Sequence, residues 1–458
     1  MARRAVFALL AILVTAMAVT ASASASSAHP RKKVKRVVVT HPRMFRAQAD
    51  RRKPSQRKRR ARAKTKVYKA PITTHAPAAA PTPGPTPAAP PAPAPSVPAL
   101  APSAPAPAPT PITAAAPASL SSGLVVGLNA NAAGWGGAST ADRLDLVTGA
   151  TDTKWLREEI DWATVEPQPG VFDFSYYDHF MQLAAQRGLH ILALLYDTPS
   201  WAGAAYNAIP SDPTAFAQYV AAVVGRYGTH GSFWAQNPAL HPAPITTWEL
   251  WNEPYLGSGD NGVYDPARYA RLVKAAGTAG HAVDPYAKFL LGAEMQSALT
   301  NGAWQWWVDA LYQAVPDLNS YFDGVAVHDY GSDVSTLNPI VAGQPYDNYG
   351  HIRRIEDIRR QFLSHNAAGK PFWITEAGWS TCSDSSSCVT PAQQASNLST
   401  LFGYIQGSWS GFVQGAFIYS YGDGANPSST QGGYGLTYLD GSAKPALAVF
   451  QREAAASS

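Results

Sequence analysis

Between about residue 124 and residue 450 the chain repeats one pattern eight times. A short, nearly wholly apolar run is followed by a loop and then, in most cases, by a segment with apolar residues at helical spacing. The strand-like runs are Leu124–Asn129, Lys154–Ile160, His190–Tyr196, a run ending at Glu253, Phe289–Glu294, Phe322–His328, a run carrying Glu376, and Phe412–Tyr421. Helices are predicted from Ser175, as a capping residue, to about Arg187, and from Asp212 to Tyr227. Others run from Asp265 or Pro266 to about Val283, Ala303 to Ala314, His351 to Ser364, Pro391 to Gln406 and Ala443 to Gln451. His190–Tyr196 is apolar on both alternating faces, as a parallel strand covered on both sides must be. Alternating β and α segments argue for a parallel sheet with helices outside it, and eight of them argue for closure. The predicted fold is therefore α/β, a (β/α)8 TIM barrel over residues 120–458.

Two of the runs end in carboxylates. Thr247-Trp248-Glu249-Leu250-Trp251-Asn252-Glu253-Pro254 is apolar until Asn252 and Glu253 arrive, and Pro254 has no N–H to continue a ladder. Phe372-Trp373-Ile374-Thr375-Glu376-Ala377-Gly378-Trp379 does the same with Glu376. A β/α barrel places its chemistry at the C-terminal ends of its strands. The fourth and seventh strands lie on opposing sides of an eight-membered barrel, so Glu253 and Glu376 are expected to face each other across the mouth. Two such carboxyls are the minimum set for cleaving a glycosidic bond. Glu249 is expected to share the face of Glu253 by strand alternation and to act as the buried partner of a cation.

Composition separates this part from the rest. The whole chain of 458 residues carries +5, yet residues 123–458 hold 16 Lys/Arg against 30 Asp/Glu, a net of −14. Residues 31–69 hold 18 Lys/Arg and one acid, Asp50, with almost no large apolar residues. Such a stretch cannot bury enough surface to fold, so 26–69 is predicted to be a disordered basic segment. Residues 70–119 are mostly Pro and Ala, a semi-rigid spacer. Residues 5–19 are apolar, follow Arg3 and Arg4, and lead into Ala21-Ser22-Ala23 and Ala23-Ser24-Ala25. This pattern predicts a signal peptide over 1–25, with an uncleaved anchor as the alternative; the run is short for a spanning helix. A secreted or cell-wall-associated location is expected, although a basic run so soon after the apolar one hinders export. The basic segment either binds an anionic envelope polymer by counterion release or is a solvated tether. Nucleic acid is not an expected partner, no further membrane span is expected, and a monomer is expected.

Cys382 and Cys388 enclose five residues, and an even count in an exported chain predicts a disulfide at the rim of the cleft. No His or further Cys completes a metal site there, and no cluster elsewhere has ligand spacing, so no metal or cofactor is expected. Trp135, Trp162, Trp201 and Trp379 fall on loops or strand tips, where a ring either stacks on a sugar or packs the rim. Trp304, Trp306 and Trp307 are expected to be helical packing.

These segments resemble clan A of the glycoside hydrolases, in which Trp-Asn-Glu-Pro closes the fourth strand and a Thr-Glu-Xaa-Gly-type segment closes the seventh. With Trp162–Gly170 (Trp-Xaa-Xaa-Val-Glu-Pro-Gln-Pro-Gly), the chain looks most like family 39 and its secreted polysaccharide-cleaving relatives, with family 5 cellulases next. The resemblance implies that Glu253 is the general acid/base and Glu376 the nucleophile. Asn252 would bond the sugar 2-hydroxyl, Tyr330 and Arg157 would hold Glu376 ionised, and His328 would line the site. One departure stands out: where many clan members place a Trp beneath the reacting sugar, this chain reads Tyr419-Ser420-Tyr421-Gly422-Asp423. Either Tyr419 or Tyr421 takes that place, or the pocket differs. A retaining β-glycosidase acting on a poly- or oligosaccharide is the expected function. The alternative is a catalytically silent carbohydrate-binding protein of the cell envelope.

Overall fold

The computed structural model describes residues 123–129, 139–256, 264–298, 304–341 and 344–457. The predicted signal peptide, basic segment and Pro/Ala spacer, together with Trp135, lie outside the described residues. The eight expected strands close into a parallel barrel. They are β1 (Val125–Asn129), β2 (Trp155–Asp161), β3 (His190–Tyr196), β4 (Thr247–Leu250), β5 (Lys288–Gly292), β8 (Gly324–Asp329), β9 (Phe372–Ala377) and β10 (Val413–Ile418), with β10 pairing back onto β1. A two-stranded antiparallel pair, β6 (Gln296–Ala298) and β7 (Trp304–Trp306), interrupts the alternation after β5.

The helices sit where apolar spacing and caps put them. They are α1 (Thr140–Thr151), α2 (Trp162–Val165), α3 (Ser175–Gln186), α4 (Pro213–Tyr227), α5 (Ser232–Gln236), α6 (Pro266–Val283), α7 (Trp307–Ala314), α8 (Arg354–Ser364), α9 (Pro391–Gln406) and α10 (Pro445–Ala455). Asp212 and Asp265 cap α4 and α6 through backbone N–H groups of Thr214 and Arg268, and each helix opens on a proline, whose missing N–H costs nothing there. Three expectations change. Ser175 is the first helical residue of α3 rather than its cap. The helix expected from Ala303 begins only at Trp307, because Trp304–Trp306 is drawn into the pair with Gln296–Ala298. Helix α1 was not foreseen, although Ser139 and Asp142 form a capping box at its start.

Two cores result. The larger lies between barrel and helices. The smaller fills the barrel itself with Leu192, Leu290, Ala326, Trp373 and Phe417, against which Val125 and Trp155 pack. Two rings this large fit only because glycine faces them. A Cβ on Gly415 would sit 2.2 Å from the Trp373 ring, and one on Gly127 would sit 2.4 Å from Phe417. This packed floor leaves the upper, C-terminal end of the barrel for polar groups. Cys382 and Cys388 form the expected disulfide in the loop that follows β9. Among the described residues no helix is long and apolar enough to cross a membrane.

Candidate active site

The two glutamates reach the mouth by breaking strand geometry. β4 ends at Leu250, not at Glu253. Trp251 and Glu253 then take left-handed backbone angles, φ 76° and 45°, costly for side chains with a Cβ and typical of sites where structure holds strain for function. The reversal buries Trp251 among Tyr196 and Phe216, outside the barrel, and swings Asn252 and Glu253 inward. Glu249 and Glu253 therefore meet at one site without lying on one continuous strand face, which corrects the alternation argument. On β9 the device is a bulge. Val327 pairs with Ile374 but His328 pairs with Glu376, so Thr375 is the extra residue. Thr375 Oγ1 donates to Glu249 Oε1 at 3.0 Å, and its neighbour Glu376 also faces inward, which plain alternation forbids.

Arg157, from β2, is the hub. Its Nε donates to Glu249 Oε2 at 2.6 Å, Nη1 to Glu376 Oε1 and Asn129 Oδ1, both at 2.8 Å, and Nη2 to Asn252 Oδ1 at 3.1 Å. The last bond fixes the Asn252 amide with its NH2 free to donate elsewhere. Tyr330 donates its hydroxyl to Glu376 Oε2 at 2.5 Å. His328 places Nδ1 2.9 Å from Glu253 Oε1 and 3.4 Å from Glu376 Oε2, with Nε2 3.6 Å from Glu249 Oε1. The nearest oxygens of Glu253 and Glu376 and the His328 nitrogen all lie within 4.8 Å of one another. Retaining glycosidases hold their carboxyls ~5–5.5 Å apart, whereas inverting ones leave ~6.5–9.5 Å for a water.

Charge balance follows from burial. Burial alone would raise the Glu249 carboxyl, but the Arg157 charge and hydrogen bonds from His328 and Arg157 overcome it and hold it at about 2. Burial works against a charged His328, yet Glu376, Glu249 and Glu253 push it up to about 10. Burial raises Asp329, beside it, to about 7 despite Arg354. The stability contributed by Glu249 is present above its ordinary value of 4.5 and lost as pH falls through about 2. That of His328 is fully present below 6.5 and lost as pH rises through about 10. Asp329 favours folding while protonated and withdraws that support as pH rises from 3.8 through about 7, the same direction as His328. Urea unfolding followed across pH should therefore show maximal stability at about pH 4, where the Glu249 contribution is nearly complete and the Asp329 loss is beginning, and a decline from there through neutrality that His328 continues above 6.5.

The remaining aromatic residues divide. Tyr419 lies by Tyr330 (6.5 Å between ring centres), and Tyr434 lies 5.5 Å from both, making a three-tyrosine wall beside Glu376. Burial, with Glu376 next in weight, raises the Tyr419 hydroxyl to about 12, so it stays a neutral donor. The Tyr419–Ser420 peptide bond is cis. Tyr421 and Trp379 are buried, and the Trp379 indole donates to the Gly331 carbonyl at 3.0 Å, so neither offers an open face to a sugar. Trp162 is fully buried and bonded to Glu166. Trp201 is only partly buried; it packs edge-on against Trp162 and donates to the Glu166 carbonyl. Asn129, Thr375 and Tyr434 were not anticipated. Asn129 was legible as a polar residue ending the first strand, but Tyr434 sits in a glycine-rich loop with no local signal.

A family model described as β-galactosidase, of the glycoside hydrolase 42 type, matches residues 135–207. The matched family lies in clan A of the glycoside hydrolases. The strand-end motifs of the clan A resemblance, at the ends of β4 and β9, lie outside the matched stretch, whereas Arg157 and Trp162–Gly170 lie within it. The match covers a minor part of the chain, and the pair of glutamates is in keeping with it. No curated protein matches the chain. Among solved structures, a glucosidase from Croceicoccus marinus is similar at 17% identity and TM-score 0.50, covering 72% of this chain and 67% of that one. A GH39 enzyme from Xanthomonas axonopodis pv. citri is similar at 22% identity and TM-score 0.49, covering 70% and 63%. A family 39 glycoside hydrolase from Bacteroides cellulosilyticus WH2 is similar at 20% identity and TM-score 0.48, covering 69% and 60%. The likeness to the glucosidase is one of fold, and the chain spans less than two thirds of the length of the two family 39 structures.

Proposed function

We propose that this protein is an exported, retaining β-glycosidase that cuts a poly- or oligosaccharide by double displacement. The observation that carries the reading is the pair of strand-end glutamates whose oxygens lie within 4.8 Å, with one of them held by a guanidinium and a phenol. In the first step a Glu376 oxygen attacks the anomeric carbon. The bond to the leaving oxygen breaks, and Glu253 gives that oxygen its proton. In the second step water attacks the same carbon, Glu253 takes its proton, and Glu376 leaves as carboxylate. Arg157 and Tyr330 stabilise that carboxylate at both its oxygens. Asn252, oriented by Arg157, is placed to bond the sugar 2-hydroxyl, and Tyr419 and Tyr434 offer the apolar wall.

Glu253→Gln tests the acid/base role. With substrates whose leaving group needs a proton, kcat should fall by roughly 10²–10⁴-fold. With glycosides of acidic phenols the first step should be spared, and only the second slowed. An equal loss for both leaving-group classes would remove Glu253 from that role.

The acidic barrel and the basic segment suit different surroundings. The reading includes a tether, residues 26–119, that holds the barrel at an anionic envelope as a monomer. Deleting residues 31–69 should release the protein from isolated envelope material into the salt-free supernatant while leaving turnover of small glycosides unchanged. Undiminished retention would remove the tether.

A further inference from the structure

We propose that the catalytic mouth doubles as a zinc-binding site, in which Glu253, His328 and Glu376 ligate one Zn²⁺ that blocks the enzyme reversibly. Spacing along the chain hides this site, since its ligands come from the ends of three separate strands. Their geometry is that of a metal cluster. At Zn–N and Zn–O bonds of ~2.0–2.2 Å, two ligands of a tetrahedral ion lie ~3.4 Å apart. His328 Nδ1 lies 2.9 Å from Glu253 Oε1 and 3.4 Å from Glu376 Oε2, close to that edge, and the two carboxylates lie within 4.8 Å of each other and close onto the ion by side-chain rotation.

The surroundings are those that hold metal ligands in place. A metal-bound imidazole usually gives its other nitrogen to a carboxylate. Here His328 Nε2 faces Glu249 Oε1 at 3.6 Å, and Glu249 is itself fixed by Arg157 and Thr375. Glu376 is oriented by Tyr330 on one oxygen and Arg157 on the other. One nitrogen and two carboxylate oxygens with an open fourth position suit zinc. Magnesium and calcium prefer an all-oxygen shell, whereas zinc takes the imidazole readily. Glu253 is the most exposed of the three, its side chain 29% accessible, and gives the ion its way in. On binding, the ion replaces the proton on His328 Nδ1, which passes to solvent. The Arg157 charge opposes the ion, so the fit is to a dication with a strong preference for nitrogen. With both carboxylates engaged, neither is free for a sugar. The blocking role rests on the glycosidase reading, whereas the binding itself does not.

The test is calorimetric titration of ZnCl₂ into the metal-stripped full chain, which needs no sugar substrate. The expected result is saturation at one equivalent, with Co²⁺ giving the visible absorption of a tetrahedral ion. His328→Gln, Glu253→Gln and Glu376→Gln should each weaken binding at least tenfold, with the fold of each variant checked by circular dichroism. Glu249→Gln, which touches no metal, should weaken it ~10–100-fold through His328. Zinc uptake unchanged in both His328→Gln and Glu376→Gln would place the ion elsewhere and overturn the proposal. So would absence of saturation in a protein that turns over glycosides. Zinc binding with the expected ligand pattern in a protein that cleaves no glycoside would uphold the site and overturn the glycosidase reading instead.

Discussion

Glu376→Gln is expected to lower kcat by on the order of 10⁵–10⁶-fold, the scale seen when a covalent nucleophile is removed from a site whose other parts remain. The amide keeps the volume of the side chain and its bond to Tyr330, so the fold should survive with little change. It cannot supply the charge that attacks the anomeric carbon. Arg157 would then face Glu249, Asn129 and Asn252 without its fourth acceptor, and substrate affinity should change far less than kcat. A fall below tenfold, measured on the same substrate under saturating conditions, would show that Glu376 does not bond to the sugar.

The second large effect is on stability. Arg157→Met should destabilise the fold by about 3–5 kcal/mol, the cost of leaving a buried charge without its partner. Arg157 and Glu249 are 6% and 2% exposed, so bulk solvent does little to screen the charge left behind. The same variant should lose turnover, since Glu376 and Asn252 lose their common anchor. Replacing the partner as well, in Arg157→Met with Glu249→Leu, should restore a large part of the stability and none of the activity, because well-packed apolar side chains can stand in for an ion pair but not for what it orients. Urea unfolding of the parent, Arg157→Met, Glu249→Leu and the double variant closes the cycle. A single variant within about 1 kcal/mol of the parent would mean that the network does not hold the barrel top together.

The sequence made the eightfold strand pattern legible because parallel barrel strands must be apolar on both faces, and His190–Tyr196 and Phe289–Gly292 could hardly be anything else. It made Glu253 and Glu376 legible because a carboxylate at the end of such a run has no structural excuse. What it hid are departures from regular geometry. Alternation puts Glu376 on the wrong face of β9, and only the bulge at Thr375 turns it inward. Alternation puts Glu253 on the face of Glu249 for a reason the left-handed Trp251 and Glu253 abolish. Helix α1 escaped because its buried side is only Leu144, Val147 and Thr151, too little apolar signal in twelve residues. Tyr434 escaped because it reaches Tyr330 and Tyr419 across the fold from a loop, and Trp379 misled because a tryptophan at a strand tip can serve the core as readily as a ligand.

The central claim is covalent catalysis by Glu376, and the most direct measurement is the intact mass of the full chain after exposure to a panel of 2-deoxy-2-fluoro β-glycosides. The fluorine slows release of the glycosyl–enzyme, so the sugar that fits should stay attached. The account predicts a gain of one fluoroglycosyl unit, mapped by peptide fragmentation to Glu376 and absent from Glu376→Gln. A label on any other residue, or hydrolysis of a β-glycoside that first releases the α-anomer, would contradict it.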